Sequence, residues 1–287
     1  MKFLSIQSSV AYGHVGNSAA VFPLQRLGHE VWPVSTVMFS NHTGYGAWRG
    51  PLLPASDVLD VVTGIEERGV LGQVDVVLSG YQGGRDIAAV ILEAVARVKR
   101  ANPAAVYTCD PVMGNAASGC FVHPDIPELL REQVVPAADV ITPNQFELGY
   151  LTGTEPTSLA QTLASADLAR AMGPSTVLVT SVVPEPDPGL DDGSMIGLLA
   201  VTDDGAWLVE TPLLPMKANG SGDLTAALFA AHLLATGDPA EALARTASSV
   251  FAVLRETLES GERELRIVAA QSAIAEPACE FAVRRVR

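Results

Sequence analysis

Only three of the 287 residues are lysine, only three are cysteine, and aromatic side chains make up 6% of the chain. The cysteines, Cys109, Cys120 and Cys279, are odd in number and include no close pair. That argues against a disulfide framework or a structural zinc site and fits a reducing cytoplasm. None of the lysines, Lys2, Lys99 and Lys217, follows a glycine, so the Gly-Lys-Ser/Thr of a P-loop is missing. A Gly-x-Gly-x-x-Gly dinucleotide fingerprint and a Gly-x-Ser-x-Gly nucleophile elbow are missing too. Basic residues number 18 against 32 acidic ones, and the formal charge of −14 repels nucleic-acid backbones and anionic membranes. Although 48% of the chain is hydrophobic, no uncharged apolar run reaches the roughly 18 residues of a membrane span. The opening MKFLSIQSSV turns polar too soon for a secretion signal and reads as a first buried strand. A chain this acidic repels free ATP, so any nucleotide chemistry needs local donors and a divalent cation.

What is present alternates. Phe3–Ser8, Val31–Phe39, Val74–Ser79, Ala105–Cys109, Val140–Thr142 and Val177–Thr180 read as strands. Between them lie helical patterns, clearest over Arg85–Lys99, where Ile87, Val90, Ile91, Ala94, Val95 and Val98 form one apolar stripe. This alternation predicts a mainly parallel sheet covered by helices. Met195–Val201 and Ala206–Val209 flank Thr202-Asp203-Asp204-Gly205 and predict a small antiparallel hairpin. Leu224–Ala235, Pro239–Leu258 and Glu264–Ile274 predict three helices, stopped by Gly237 and Gly261. Pro184, Pro186 and Pro188 punctuate a loop, but no long linker or repeat divides the chain, and residues 1–287 read as one domain.

Three clusters carry chemistry. Asn219-Gly220-Ser221-Gly222-Asp223 stands directly before a helical run, so its glycines permit close backbone approach and the first free N–H groups of the helix face an anion. Asp223 would accept a proton from an attacking hydroxyl; the alternative is a tight turn with Asp223 favouring the helix N-terminus through its charge. Cys109-Asp110-Pro111-Val112-Met113-Gly114 and Ile141-Thr142-Pro143-Asn144-Gln145-Phe146-Glu147 each run from a strand into a turn with an acid. Asp110 and Glu147 are thus candidates to hold hydrated magnesium at the carboxyl edge of the sheet, or else serve as turn and cap residues. Ser40–Gly46 and Gly80–Gly84 are polar, glycine-rich and aromatic, the composition of recognition loops, with Tyr81 able to lie against an aromatic substrate. His42 lacks a partner acid or nucleophile and receives no catalytic role. Cys120 is read as an inert thiol.

Gly220-Ser221-Gly222-Asp223 resembles the anion hole and catalytic base of ribokinase-superfamily kinases. Tyr12–Ala20, Phe39–Tyr45, Leu78–Tyr81, Cys109–Gly114 and Thr142–Glu147 occur in the order of, and resemble, the pyridoxal kinases within it, and the likeness extends to Val268-Ala269-Ala270-Gln271. The resemblance implies a three-layer αβα ribokinase-like fold, usually as a homodimer, that phosphorylates pyridoxal with ATP and Mg2+, a monovalent cation being a further possible requirement. It makes Asp223 the base. Ser8, Thr43 and Tyr81, with Asp223, would bind the pyridine substrate; Asp110, Thr142, Glu147, Thr180 and Ser181 would surround the nucleotide and metal. Asn115–Phe121 would be a lid that excludes water. The alternatives are a hydroxymethylpyrimidine kinase of the same superfamily and a noncatalytic pyridoxal-binding protein.

Overall fold

The computed structural model describes residues 1–183 and 195–287; the loop of Pro184, Pro186 and Pro188 lies outside the described residues. Its strands are β1 (Lys2–Val10), β2 (Glu30–Phe39), β3 (Val76–Ser79), β4 (Val106–Cys109), β5 (Gly114–Asn115), β6 (Gly119–Cys120), β7 (Val140–Ile141), β8 (Thr176–Val182), β9 (Met195–Thr202), β10 (Gly205–Pro212) and β11 (Val283–Arg285). The helices are α1 (Asn17–Arg26), α2 (Ala55–Glu67), α3 (Ile87–Ala101), α4 (Ile126–Leu129), α5 (Val135–Ala137), α6 (Gln145–Thr152), α7 (Leu159–Arg170), α8 (Ser221–Thr236), α9 (Pro239–Ser260) and α10 (Gln271–Ala275).

Among the described residues, nine strands form one sheet in the order β11-β10-β9-β8-β7-β4-β3-β1-β2. The six from β8 to β2 run parallel, and the inner strands β1, β3, β4 and β7 are buried on both faces, as a parallel sheet between two helical layers demands. In β3, Val76 and Leu78 pack on α1 and α8, while Val77 enters the larger core with α2 and α3. In β8, Leu178 meets α8 and α9, while Val177 and Val179 face the other way. The period-2 alternation therefore divides one sheet between two cores.

The expected hairpin is β9–β10, turned by Asp203–Asp204 with Gly205 at φ 148°. It continues the main sheet, since β9 pairs antiparallel with β8. Two elements depart from the sequence reading. The helix expected over Glu264–Ile274 is confined to α10, because Leu265, Ile267 and Ile274 reach the α1–α8–α9 core from a chain of turns, and Glu264 is drawn toward Tyr45 and His14. Strand β11, which carries arginines and little apolar signal, pairs along β10.

Helix α8 has little amphipathic character: Leu224 through His232 are all buried. Such a helix must be enclosed, and α8 packs between the sheet, α1 and α9. Its N-terminus is consequently held rigidly at the edge where the parallel strands end.

Candidate active site

One cavity of about 850 Å³ opens along the carboxyl edge of the parallel strands. All twelve residues singled out from the sequence line it: Ser8, Thr43, Tyr81, Asp110, Thr142, Glu147, Thr180, Ser181, Gly220, Ser221, Gly222 and Asp223. Two of the contributing strands are irregular where they supply residues. The β1–β2 register shifts between Gln7 and Ser9, around Ser8, and the β8–β9 register shifts between Val179 and Val182, around Thr180 and Ser181. Ser181 also has φ 55°, a strained conformation for a residue with a side chain. Bulges and strained backbone of this kind re-aim side chains at sites.

Helix α6 begins with a closed capping box. Asn144 Oδ1 accepts from the Glu147 N–H at 2.9 Å, and Glu147 Oε2 accepts from the Asn144 N–H at 2.9 Å. Glu147 Oε1 accepts two further backbone bonds, from Met113 at 2.8 Å and Gly114 at 3.2 Å. These anchor the base of the β5–β6 ribbon, whose Ala117 and Ser118, with the following Phe121, face the cavity. Thr142 donates its hydroxyl to Asp110 Oδ1 at 3.2 Å.

Helix α8 begins differently. Its N-cap is Gly220, at φ 87°, and no side chain caps it. A Cβ at Gly220 would come within 1.8 Å of the His14 carbonyl oxygen, so the close approach and the left-handed backbone both require glycine. The first N–H groups of α8 are thereby left to whatever enters the cavity. Asp223, in the first turn, is half-buried, with its open side in the cavity. Burial pushes its carboxyl up to about 6, while the N–H groups of Gly16 and of Asp223 itself pull the other way.

Three acids thus crowd one wall. Burial raises the carboxyl of Asp110 well above the usual range, and the charges of Glu147 and Asp223 add to it, against the Thr142 hydroxyl. Glu147 is raised chiefly by burial and further by Asp223, despite its three backbone donors. Among the described residues no group of three or more His, Cys, Asp or Glu is assembled to grip a metal directly. With Glu147 already bonded to three N–H groups, the pair fits a hydrated divalent cation, whose charge would relieve the crowding.

The cavity wall also contains residues the sequence reading did not select. Val10, Val15, Val37 and Phe39 form an apolar cluster packed against Tyr81. Ile196, Leu198, Val250, Phe251 and Leu254 form an apolar flank. The ends of β1 and β2 offered a signal for the first group; nothing local marked the second. His42 also lines the cavity. Its Nδ1 accepts from the Gly44 N–H at 3.0 Å, which supports the role of a structural fixture.

A sequence model of the phosphomethylpyrimidine kinase family matches residues 73–267. A pyridoxal kinase PdxY of Leifsonia xyli is 68% identical over 286 residues, covering 100% of both chains. The chain belongs to the pyridoxal kinase family. A second pyridoxal kinase PdxY, of Corynebacterium diphtheriae, is 59% identical over 100% of both chains. The pyridoxal kinase of Leishmania donovani, solved in complex with ADP and pyridoxamine, is 30% identical with a TM-score of 0.91, covering 100% of this chain and 99% of that one. The likeness spans every layer of the fold, so the αβα ribokinase-like architecture implied by the sequence motifs is the architecture of the protein. No helix among the described residues is long and apolar enough to cross a membrane.

Proposed function

We propose that the protein transfers the γ-phosphoryl group of ATP to the 5′-hydroxyl of pyridoxal, giving pyridoxal 5′-phosphate and ADP. The observation that carries this reading is the open N-terminus of α8. An uncapped glycine turn and a half-buried carboxylate at Asp223 face the same cavity as Tyr81 and the acids Asp110 and Glu147. Asp223 accepts the hydroxyl proton as its oxygen attacks phosphorus. The N–H groups at Gly220 to Gly222 stabilise charge on the phosphoryl oxygens in transit. Ser8, Thr43 and Tyr81, backed by Val37 and Phe39, hold the pyridine ring. Thr142, Thr180 and Ser181 face the nucleotide, and the apolar flank of Val250, Phe251 and Leu254 suits its base.

Asp110 and Glu147 would hold magnesium through water, and the bound ion would offset charge on the ATP phosphates. The ribbon of β5 and β6 acts as the lid, its base tied to Glu147. The chain works as one domain, a reading supported by a sheet that runs from Lys2 to Arg285. A homodimer in the cytoplasm fits the family and the three free thiols.

The test supplies purified protein with Mg-ATP and either pyridoxal or hydroxymethylpyrimidine. Pyridoxal 5′-phosphate and ADP in equal amounts is the expected result. ADP formed only with the pyrimidine assigns the rival substrate, and pyridoxal binding without ADP assigns a binding protein.

A further inference from the structure

Glu264 has no role in this chemistry, yet it joins two parts of the site. It is only 7% exposed. Its Oε1 accepts the Tyr45 hydroxyl at 2.6 Å, and its Oε2 accepts the His14 N–H at 3.2 Å. Space for the carboxylate is reserved on the His14 side, because a Cβ at Gly13 would lie 2.0 Å from Glu264 Oε2. Next to it, the Arg263 guanidinium lies 3.8 Å above the Tyr45 ring, and its Nη2 donates to the Gly44 carbonyl at 3.1 Å.

Both anchored segments lead to the cavity. Tyr45 and Gly44 close the loop that presents Thr43. His14 packs its carbonyl against Gly220, the N-cap of the helix that carries Asp223, and both Gly220 and Asp223 line the cavity. One buried carboxylate therefore sets the distance between the loop facing the substrate and the turn that supports the base and anion hole. A hydrogen bond to a charged acceptor that is also buried resists such displacement more strongly than a neutral one.

We infer that Glu264, with Arg263 beside it, is a positioning residue that holds the Thr43 loop in register with the α8 N-terminus, so that the pyridoxal site is preformed. The inference rests on the proposed kinase reading. Glu264→Gln keeps the shape but has one acceptor oxygen for two donors. Tyr45→Phe removes one bond and leaves the ring under Arg263. Glu264→Gln should raise KM for pyridoxal roughly tenfold or more, the scale of losing a bond to a charged group, with KM for ATP nearly unchanged. Pyridoxal affinity measured by calorimetry without ATP should weaken to match. The double variant should be no worse than the poorer single one, since both break the same link.

A folded Glu264→Gln protein with wild-type KM for pyridoxal, equal rises in both KM values, or additive effects of the two substitutions would each overturn the inference. Should Glu264→Gln fail to fold, an unchanged pyridoxal KM in Tyr45→Phe overturns it alone. A wild-type protein that makes no pyridoxal 5′-phosphate defeats the kinase reading instead, before any variant is compared.

Discussion

Helices α6 and α8 each carry an acid in the first turn at the carboxyl edge of the sheet, and they use it in opposite ways. At α6, Asn144 and Glu147 cap each other, and Met113 and Gly114 occupy the remaining oxygen, so that end is closed and serves as an anchor. At α8, Gly220 supplies no side-chain cap, and Asp223 lines the cavity, so that end stays open to it. One helix start is thus a fixed post for the β5–β6 ribbon, and the other is the open end proposed to serve phosphoryl transfer. The difference lies in whether a side chain has already taken the free donors of the first turn.

Removing the acid of the open end should have the largest effect. Asp223→Asn should lower kcat by ~10²-fold or more, the scale of a positioned base, with ATP affinity held in a binding titration. Giving α8 the side-chain cap of α6 comes next. Gly220→Ser adds a Cβ where the His14 oxygen leaves no room and forces φ 87° on a serine, so kcat should fall by ~10²-fold and thermal stability should drop.

The pH dependence sharpens the contrast further. Asp223 must be ionised to accept a proton, so kcat/KM should fall about tenfold per unit below pH 6. Its stability effect has the opposite sign. With a folded value of about 6 against an ordinary 3.8, the native state holds the proton more tightly. This contribution to stability is full below pH 4 and is lost as pH rises through 6. Asp223→Asn should flatten that part of the melting profile, whereas a profile identical to wild type would place the titration elsewhere.

Opening the closed end should do least. Asn144→Ala removes the cap of α6 and a 2.8 Å bond to the Gly114 carbonyl, which should cost about 1 kcal/mol in denaturant unfolding. The activity should fall only a few-fold. A loss as large as that of Asp223→Asn would erase the distinction between the two ends.

Much of this was legible in the chain. Strand and helix periods located the parallel strands and α3, α8 and α9 because burial on both faces of a sheet, or on one stripe of a helix, constrains residue type at fixed intervals. Glycine and acid at strand ends located the cavity wall for the same local reason. The helix expected from Glu264 failed because two side-chain bonds to distant residues, Tyr45 and His14, outweigh local helical preference there. The apolar flank at Val250, Phe251 and Leu254 was hidden because those residues read equally as the packing face of α9.

Sequence alone determined the layered α/β fold, the family, and the residue types available to the site, since these follow from short-range patterning and from motifs in order. Only the tertiary structure decided which acid is saturated and which is open, that Ser8 and Ser181 sit at irregularities of their strands, and that Glu264 braces the loop of Thr43. Each of those outcomes depends on hydrogen bonds or close backbone contacts between segments far apart in the chain, and no local pattern encodes such a meeting.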